Sequence, residues 1–530
     1  MKNPTDINVH ENFLDRIIAA VDPIRALRRM EARYARAVAG AYIGASKTRR
    51  QLSQWNPRTG DADSDTLHDL PTLRERSRDM VRNNPLASGA LSTKITNVVG
   101  TGLQLQSRLD AAFLGLSEDR ADRIQTNIER EWSLFWDSHE CDVSRTCNGD
   151  TLTSLAYRQQ KENGDVFVLL PRFMRADSTS PYALKVQLIE ADRVCNRDKV
   201  RETSEYAGGV LKDSYGAPIS YDILRQHPGS LGGRISQEWD TIRAFAPNTG
   251  LRQVLHLYQV LRPGQSRGVP DLAPVIEPLK QLDRYTEAEL QAAVITAALT
   301  VFIKSATGQG LAPTAAVGSN TNAADTGLKL GSGAIFQLPY GTDITPVNPL
   351  RPNQAFDGFV MAILRQTGVA LQLPFEILIK HFTSSYSAAR AALLEAWKYF
   401  LTEREWLAGS FNQSIFENWM YEAVAVGRVK APGFFSDPAI TRAYCKADWI
   451  GPAKGMIDEL KEVEAAKERI SLTLTTHAEE TSQLTGGDWE SKVRQLGKER
   501  KLKESAGLLP EQIEAAKGDK KYASDKDQED

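Results

Sequence analysis

The chain has 530 residues, 41% hydrophobic and 25% charged, with 65 Lys and Arg against 67 Asp and Glu for a formal net charge of −2. This is ordinary globular composition, and it excludes a protein that grips nucleic acid through bulk positive charge. Four scattered cysteines (Cys141, Cys147, Cys195, Cys445) exclude a disulfide framework and point to a reducing compartment; no signal-peptide core and no run of about 18 apolar residues is present.

The length predicts about three or four domain-sized units. Residues 1–52 read as helical. From Pro23 to Leu52 eight Lys and Arg stand against Glu31, a net of +7; such a run is a solvated face or a surface for an acidic partner or nucleic acid. "QWNPRTGDADSD" reads as loop. Residues 70–95 read as two helices split at Asn83-Asn84-Pro85, because the residue before proline disfavours the α region. "VVGTGLQLQSRL" is a turn then a strand, and residues 117–137 form an amphipathic helix carrying Trp132, Phe135 and Trp136. From about 150 to 260 the pattern changes to short apolar runs bounded by Gly, Pro and Asp, which predicts a strand-rich, mostly antiparallel segment with "KDSYGAP" as a hairpin turn.

"RPGQSRGVPDLAPVIEPL" (262–279) reads as a rigid elbow with prolines at 270, 274 and 278. Apolar residues then recur at steps of three or four from Leu272 to Phe302, the signature of one long helix, with Pro278 either kinking it or marking its true start. "FIKS", "KLGSGAIFQL" and "DITPVNP" read as strands around a loop at 308–327. A second helix follows at 353–371, broken by "LPFEILIKHFTSS", and a very long helix runs from near Ser385 to about Val426. Residues 453–509 are charged and helical, with turns at Thr475-Thr476 and Gly486-Gly487. The last twenty residues, with seven acids and four lysines, read as disordered.

Nothing signals an active site. "GAYIGASKT" (40–48) fails the phosphate-loop pattern because Lys47 follows Ser46 rather than a glycine. His139, Cys141 and Cys147 lack the paired spacing of a zinc set. Ser384, Ser385 and Ser387 precede a helix, where capping is their natural role. The seven histidines show no catalytic or ligand spacing. No catalytic residue, metal ligand or cofactor site is therefore expected.

Several stretches in combination are specific: "LRERSRDMVRNNPLASGAL" (73–91), "VVGTGLQLQ" (98–106), "NGDVFVLL" (163–170), "IEADRV" (189–194), "RPGQSRGVPDLAPVI" (262–276), "SYSAARAALLEAW" (385–397) and "TGGDWESKVRQLGKER" (485–500). On these the chain resembles the lambda-type phage portal proteins over nearly its whole length; "CNGDTLTS" (147–154) and the loop at 308–327 depart from the family pattern. The resemblance implies an α+β, mainly helical portal fold assembled as a ring, usually of twelve subunits, around an axial channel for double-stranded DNA. It divides the chain into a wing at 1–262 (helical to 147, strand-rich from 148), a stem helix at 263–302, a clip at 303–352 and a second stem helix at 353–371. A tunnel loop at 372–385, the long wing helix and its connection at 386–449, a crown at 450–510 and an acidic tail at 511–530 follow.

The same resemblance implies stem packing through Ala288, Ala292, Ala293, Ala297 and Ala298, whose small side chains allow close helix approach. It places Lys380, His381, Thr383, Ser384 and Ser385 toward DNA, and Lys304, Asp325 and Lys329 in a partner-binding clip. The implied partners are further copies of the chain, a terminase packaging motor, a head-tail adaptor and a major capsid or scaffolding protein, with no membrane. The implied location is the portal vertex of the virion, after assembly in the host cytoplasm. The competing readings are a DNA-handling enzyme (a nuclease or NTPase) and a capsid adaptor that forms no channel.

Overall fold

The structure, a computed structural model, describes residues 22–38, 50–57, 59–230, 238–298, 302–305, 342–345, 356–382, 385–456 and 458–506, with a few isolated positions besides. The chain divides into two compact units, Met1–Asp61 and Ala62–Asp530. In the first, helix α1 spans Pro23–Val38, with Ile24 and Leu27 exposed among its arginines. All but one residue of "GAYIGASKT" lies outside the described residues.

The second unit is α+β and mainly helical. A short helix α2 (Ala62–Thr66) leads to α3 (Leu70–Asn83) and α4 (Pro85–Val98). Asn84 separates them as the sequence predicts: its backbone is extended (ψ 118°) as proline demands, and its side chain caps α4 by accepting from the Ala87 N–H. Strand β1 (Gln104–Ser107) and helices α5 (Ala111–Leu114) and α6 (Glu118–Trp136) follow.

The segment expected to be strand-rich from 148 opens instead with a helix, α7 (Gly149–Asn163), capped by Asn148. Its inward face carries Thr153, Gln160 and Lys161 beside Leu152, Ala156 and Tyr157, which dilutes the apolar period that would have marked it. The strands are β2 (Asp165–Leu169), β3 (Gln187–Glu190), β4 (Tyr206–Ala207), β5 (Val210–Lys212), β6 (Pro218–Leu224), β7 (Trp239–Arg243) and β8 (Val254–Tyr258). They form two antiparallel sheets, β3-β2-β8 and β4-β5-β6-β7. In the "KDSYGAP" turn the Asp213 carboxylate accepts from the Tyr215 and Ala217 N–H groups, and Gly216 takes a positive φ of 86°.

Helix α8 spans Ile276–Ala298, shorter than the helix predicted to Phe302. Pro274 lies in a preceding 3-10 turn, Pro278 in the helix's first turn, and Phe302 opens β9 (Phe302–Ser305). Strand β9 pairs antiparallel with β10 (Thr342–Thr345); "KLGSGAIFQL" and the loop at 308–327 lie outside the described residues. Next come α9 (Phe356–Ala370), α10 (Phe375–Ile379), α11 (Tyr386–Leu407), a π turn at Ala408–Asn412, and α12 (Gln413–Ala425). The last three form one unbroken rod of about 60 Å at about 1.5 Å per residue. Helix α13 (Pro438–Tyr444) precedes β11 (Ala447–Ile450), which pairs with β1; α14 (Glu459–Ser471), α15 (His477–Thr485) and α16 (Trp489–Ser505) end the described chain. Thr476 makes a reciprocal capping box with Glu479, and Gly486 closes α15 in the left-handed region.

The main core lies where the rod crosses α6. Trp132 stacks on Trp136 at 4.8 Å and meets Phe416, Trp419 and Trp449 edge-on at 5.3 to 5.9 Å. Phe411, Ile415, Phe416, Trp419 and Met420 are all fully buried. Cys141 sits under this cluster with its Sγ 3.8 Å from the Trp136 carbonyl, and burial pushes its thiol up to about 12.

Candidate functional site

The elbow at 262–275 sets where α8 leaves the body. Its centre is polar and buried: Gln265, Ser266 and Arg267 are 6%, 5% and 2% exposed. Gln265 ties the turn to itself, accepting from the Leu261 and Arg262 N–H groups and donating to the Arg267 carbonyl. Ser266 donates to Asp63 from both its N–H (2.7 Å) and its hydroxyl (2.5 Å). Gly268 passes so close to β2 that a Cβ there would collide with the Gly164 carbonyl oxygen.

Asp165, fully buried at the start of β2, is the hub of this arrangement. Its carboxylate accepts from Arg267 Nε at 2.6 Å, Arg74 Nη2 at 2.8 Å and the Gly268 N–H at 3.2 Å, with His256 Nε2 3.1 Å away. Arg267 also donates to the Val194, Gly208 and Ala191 carbonyls. Burial alone would raise the Asp165 carboxyl. The charges of Arg267 and Arg74, with hydrogen bonds from His256 and Arg267, reverse this and hold it well below the usual carboxylate range. Burial draws Arg74 down to about 10.

A second buried ionic cluster holds the other side. Lys94 of α4 meets Asp271 at 2.5 Å and the Tyr399 hydroxyl at 3.0 Å. Lys161 of α7 pairs with Glu403 of α11 at 2.7 Å, and Glu403 also accepts from Tyr157 (3.2 Å) and Gln259 (2.6 Å). Removing one member of such a pair costs about 3–5 kcal/mol, because it strands a buried charge. The prolines restrict the elbow's φ angles, but Asp165 with Arg74 ties Arg267 to β2 and α3, Lys94 with Tyr399 ties Asp271 to α4 and α11, and the Asp271 N–H donates to the Lys161 carbonyl of α7. Sequence reasoning missed them; the available signal was charge inside apolar runs, as in "NGDVFVLL" and "SRGVPD".

Beyond the elbow, α8 packs on α9. Tyr285 stacks on Phe356 at 5.4 Å and meets Phe359 edge-on at 5.2 Å. Leu279 and Leu282 are buried near the elbow, while Asp283 receives a 2.8 Å hydrogen bond from Asn84 Nδ2. Farther out α8 bares Leu290 and Val294, 65% and 62% exposed, and nearer the elbow α9 bares Val369, 75% exposed. Ala288 and Ala293 are exposed and Ala292 is half-buried, while the side chains of Ala297 and Ala298 lie outside the described residues. Lys304 lies on β9 in register with Asp343 of β10; Asp325 and Lys329 lie outside the described residues.

The segment after α9 is only partly a loop. Leu373, Ile377 and Leu378 are buried, and α10 ends at Lys380 in the left-handed region with φ 56°. Lys380, His381, Phe382 and Ser385 form an exposed tip; Thr383 and Ser384 lie outside the described residues. Ser385 stands at the N-cap position of α11 but makes no cap hydrogen bond, its hydroxyl lying 3.2 Å from that of Ser387. The tip borders a cleft of about 330 Å³ floored by Ile377, Leu394, Trp397 and Phe400, with Lys380, Arg390, Lys454 and Glu462 at its charged rim. Among the described residues no group of His, Cys, Asp and Glu could hold a metal ion, and no helix is long and apolar enough to cross a membrane.

A braced elbow, a two-helix rod with exposed apolar side chains and an exposed tip are the features that the chain brings together. A family model described as phage portal protein, lambda family, matches residues 48–404. The chain belongs to that family, and its function is that of a phage portal protein. It is 26% identical over 497 residues to portal protein B of Escherichia phage lambda, covering 90% of this chain and 92% of that one. The same identity and coverage relate it to the portal protein of Escherichia phage N15, and it is 25% identical over 466 residues to a probable portal protein of Halomonas phage phiHAP-1. Among solved structures it is similar to a chain in the neck of a native GTA particle computed with C12 symmetry. That likeness has a TM-score of 0.42 and 13% identity, covering 81% of this chain and 96% of that one.

Proposed function

We propose that copies of this chain close into a ring, twelve in the family pattern, whose axial channel carries double-stranded DNA through one vertex of the virion. The observation that carries the reading is the rod of α8 and α9: Leu290 and Val294, one turn apart on α8, stay exposed with Ala293 next to them, apolar surface that a neighbouring rod would cover. In this reading α8 and α9 are the stem, residues 303–352 the clip, the tip at 380–385 the channel-lining loop, the α11–α12 rod the wing's long helix, and α14–α16 the crown. The clip meets a terminase packaging motor during filling and a head-tail adaptor afterwards, and the wing meets capsid or scaffolding protein. The ring assembles in the host cytoplasm and acts as a conduit rather than an enzyme. The chain's near-neutral net charge of −2 suits this role, since each phosphate neutralised adds salt-dependent affinity that would slow translocation. Particle imaging of purified protein tests it: closed rings with an axial hole are expected, and a solid or open assembly sinks the reading.

A further inference from the structure

Helix α16 is unlike the rest of the chain. Between Lys492 and Lys503 it carries six Lys and Arg against Glu499 alone, in a protein whose net charge is −2. None of its residues is buried. Yet it is not a loose appendage, because its first turn is pinned. Asp488 accepts from the Glu490 and Ser491 N–H groups and from Gln106 Nε2 at 2.6 Å, and Glu490 pairs with Arg108 at 3.1 Å. Strand β1, which supplies Gln106, is itself tied to α6 through the Ser107 N–H and Glu129 at 3.0 Å. The relation of α16 to α6 is therefore fixed by polar contacts on regular elements.

Between these two helices lies a cleft of about 440 Å³. Arg123, Thr126, Asn127 and Arg130 line it from one face of α6, at the i, i+3, i+4 and i+7 spacing that stacks side chains along a helix. Arg494 closes it from α16, and Asp122 is the acid in its lining. Arg494 reaches Glu490 at 3.3 Å in an exposed pair, Arg130 donates to Asn127 at 2.8 Å, and Arg123 donates to the Asp119 carbonyl at 3.2 Å. Among the described residues neither Arg123 nor Arg130 makes an ion pair within 4 Å, although the charge of Arg130 helps hold the Glu131 carboxyl low. Lys498 and Lys501 extend the line from Arg494 along the same face of α16, at i+4 and i+7. From Arg494 to Lys501 is about 10 Å at about 1.5 Å per residue. A DNA strand presents a charge about every 3.4 Å of axis, so this track matches about three successive phosphates.

We infer that the cleft between α6 and α16 is a binding site for the phosphodiester backbone of double-stranded DNA, separate from the tip at Lys380. Arg123, Arg130 and Arg494 form its head and Lys498 and Lys501 its extension. Only the choice of duplex DNA over another polyanion rests on the conduit reading. The line from Arg494 to Lys501 is longer than one phosphate, which suits a backbone better than a free anion. Guanidinium and ammonium groups with no base-reading element beside them make the contact independent of sequence.

The test uses the full chain and a short duplex of arbitrary sequence, with affinity measured across a salt series. The triple variant Arg123→Gln/Arg130→Gln/Arg494→Gln should flatten the dependence of log K on log salt by about 0.9 for each phosphate no longer neutralised, or about 2.7 for one engaged cleft. The control Lys492→Gln/Arg500→Gln/Lys503→Gln removes the same charge from the opposite side of α16 and should change the slope by less than about 1. Equal flattening by both triples, or none by the first, overturns the site. Displacement of the duplex by polyglutamate at equal charge assigns the cleft to an acidic protein segment and overturns it too. All six side chains are exposed, so folding is unaffected. Imaging of the same samples separates the two ideas. If the wild type fails to form rings while the first triple still flattens the slope, the conduit reading falls and the phosphate site stands.

Discussion

Asp165→Asn is the sharpest probe of how the elbow is held. The change is isosteric, so it leaves packing intact while removing the charge that Arg267 and Arg74 share at 2.6 and 2.8 Å. It also turns an amide NH2 toward donors. Stranding buried guanidinium charge in this way costs about 3–5 kcal/mol. At roughly 2.1 cal/mol/K per residue, the unfolding entropy of the unit Ala62–Asp530 is about 1 kcal/mol/K. The expected fall in Tm, measured by calorimetry on unassembled protein, is therefore about 3–5 °C. Adding Arg267→Met should cost less than the sum of the two single changes, because the second substitution removes one of the charges the first one strands. The pH dependence has a definite sign. The folded Asp165 carboxyl lies below its unfolded value of about 3.9, so its contribution is complete above about pH 5 and is lost as pH falls further toward the folded value. The gap between wild type and variant should be level from neutrality to about pH 5 and narrow below about pH 4. A Tm change under about 1 °C, strict additivity with Arg267→Met, or a gap that widens in acid would refute the reasoning.

Three further outcomes are expected. Ala292→Leu with Ala293→Leu should leave subunit folding unchanged, since neither side chain is buried in the subunit, and should weaken ring closure by about 1–3 kcal/mol at each overpacked position, read as a raised assembly concentration. Lys380→Glu should preserve rings and lower DNA packaging, and a photoreactive group at position 380 should cross-link to DNA in filled heads; normal packaging without cross-links removes the tip from the channel. Glu480 receives two 2.7 Å hydrogen bonds from Arg469, which hold its carboxyl below the usual range, so the brace between α14 and α15 is complete above about pH 4.3 and loosens as pH falls through the lower folded value. Hydrogen exchange confined to these helices should rise in that acid window, and Glu480→Gln should produce the same rise at neutral pH.

What could be read from the sequence depended on whether burial and polarity agreed. The break at Asn84-Pro85, the aromatic helix ending at Trp136 and the long rod from Tyr386 were legible because each has a local cause: a proline constraint, a 3.6-residue apolar period, or an unbroken run of good helix formers. Helix α7 was not legible, because half of its buried face is polar and makes sense only once Glu403, far along the chain, arrives to pair with Lys161. The elbow was recognised by its prolines and glycines, yet the group that anchors it, Asp165, lies about 100 positions earlier. The extent of α8 was overread because Phe302 keeps the helical spacing while belonging to β9. Ser385 shows the opposite error: it holds the capping position without making the bond. The exposure of Leu290 and Val294 on α8 was not legible, because their spacing alone does not say which face a helix leaves uncovered.

Bolts of the elbow come from within a single chain: Asp165 meets Arg267 and Arg74, and Asp271 meets Lys94. A subunit so braced carries its rod at a preset inclination before it meets another copy. In a head-to-tail ring, the rotation between neighbours decides how many copies close the circle. Adding or removing one copy alters that rotation by only a few degrees per subunit. In such a ring, a joint set by ion pairs inside each subunit narrows the range of rotations at which copies can close.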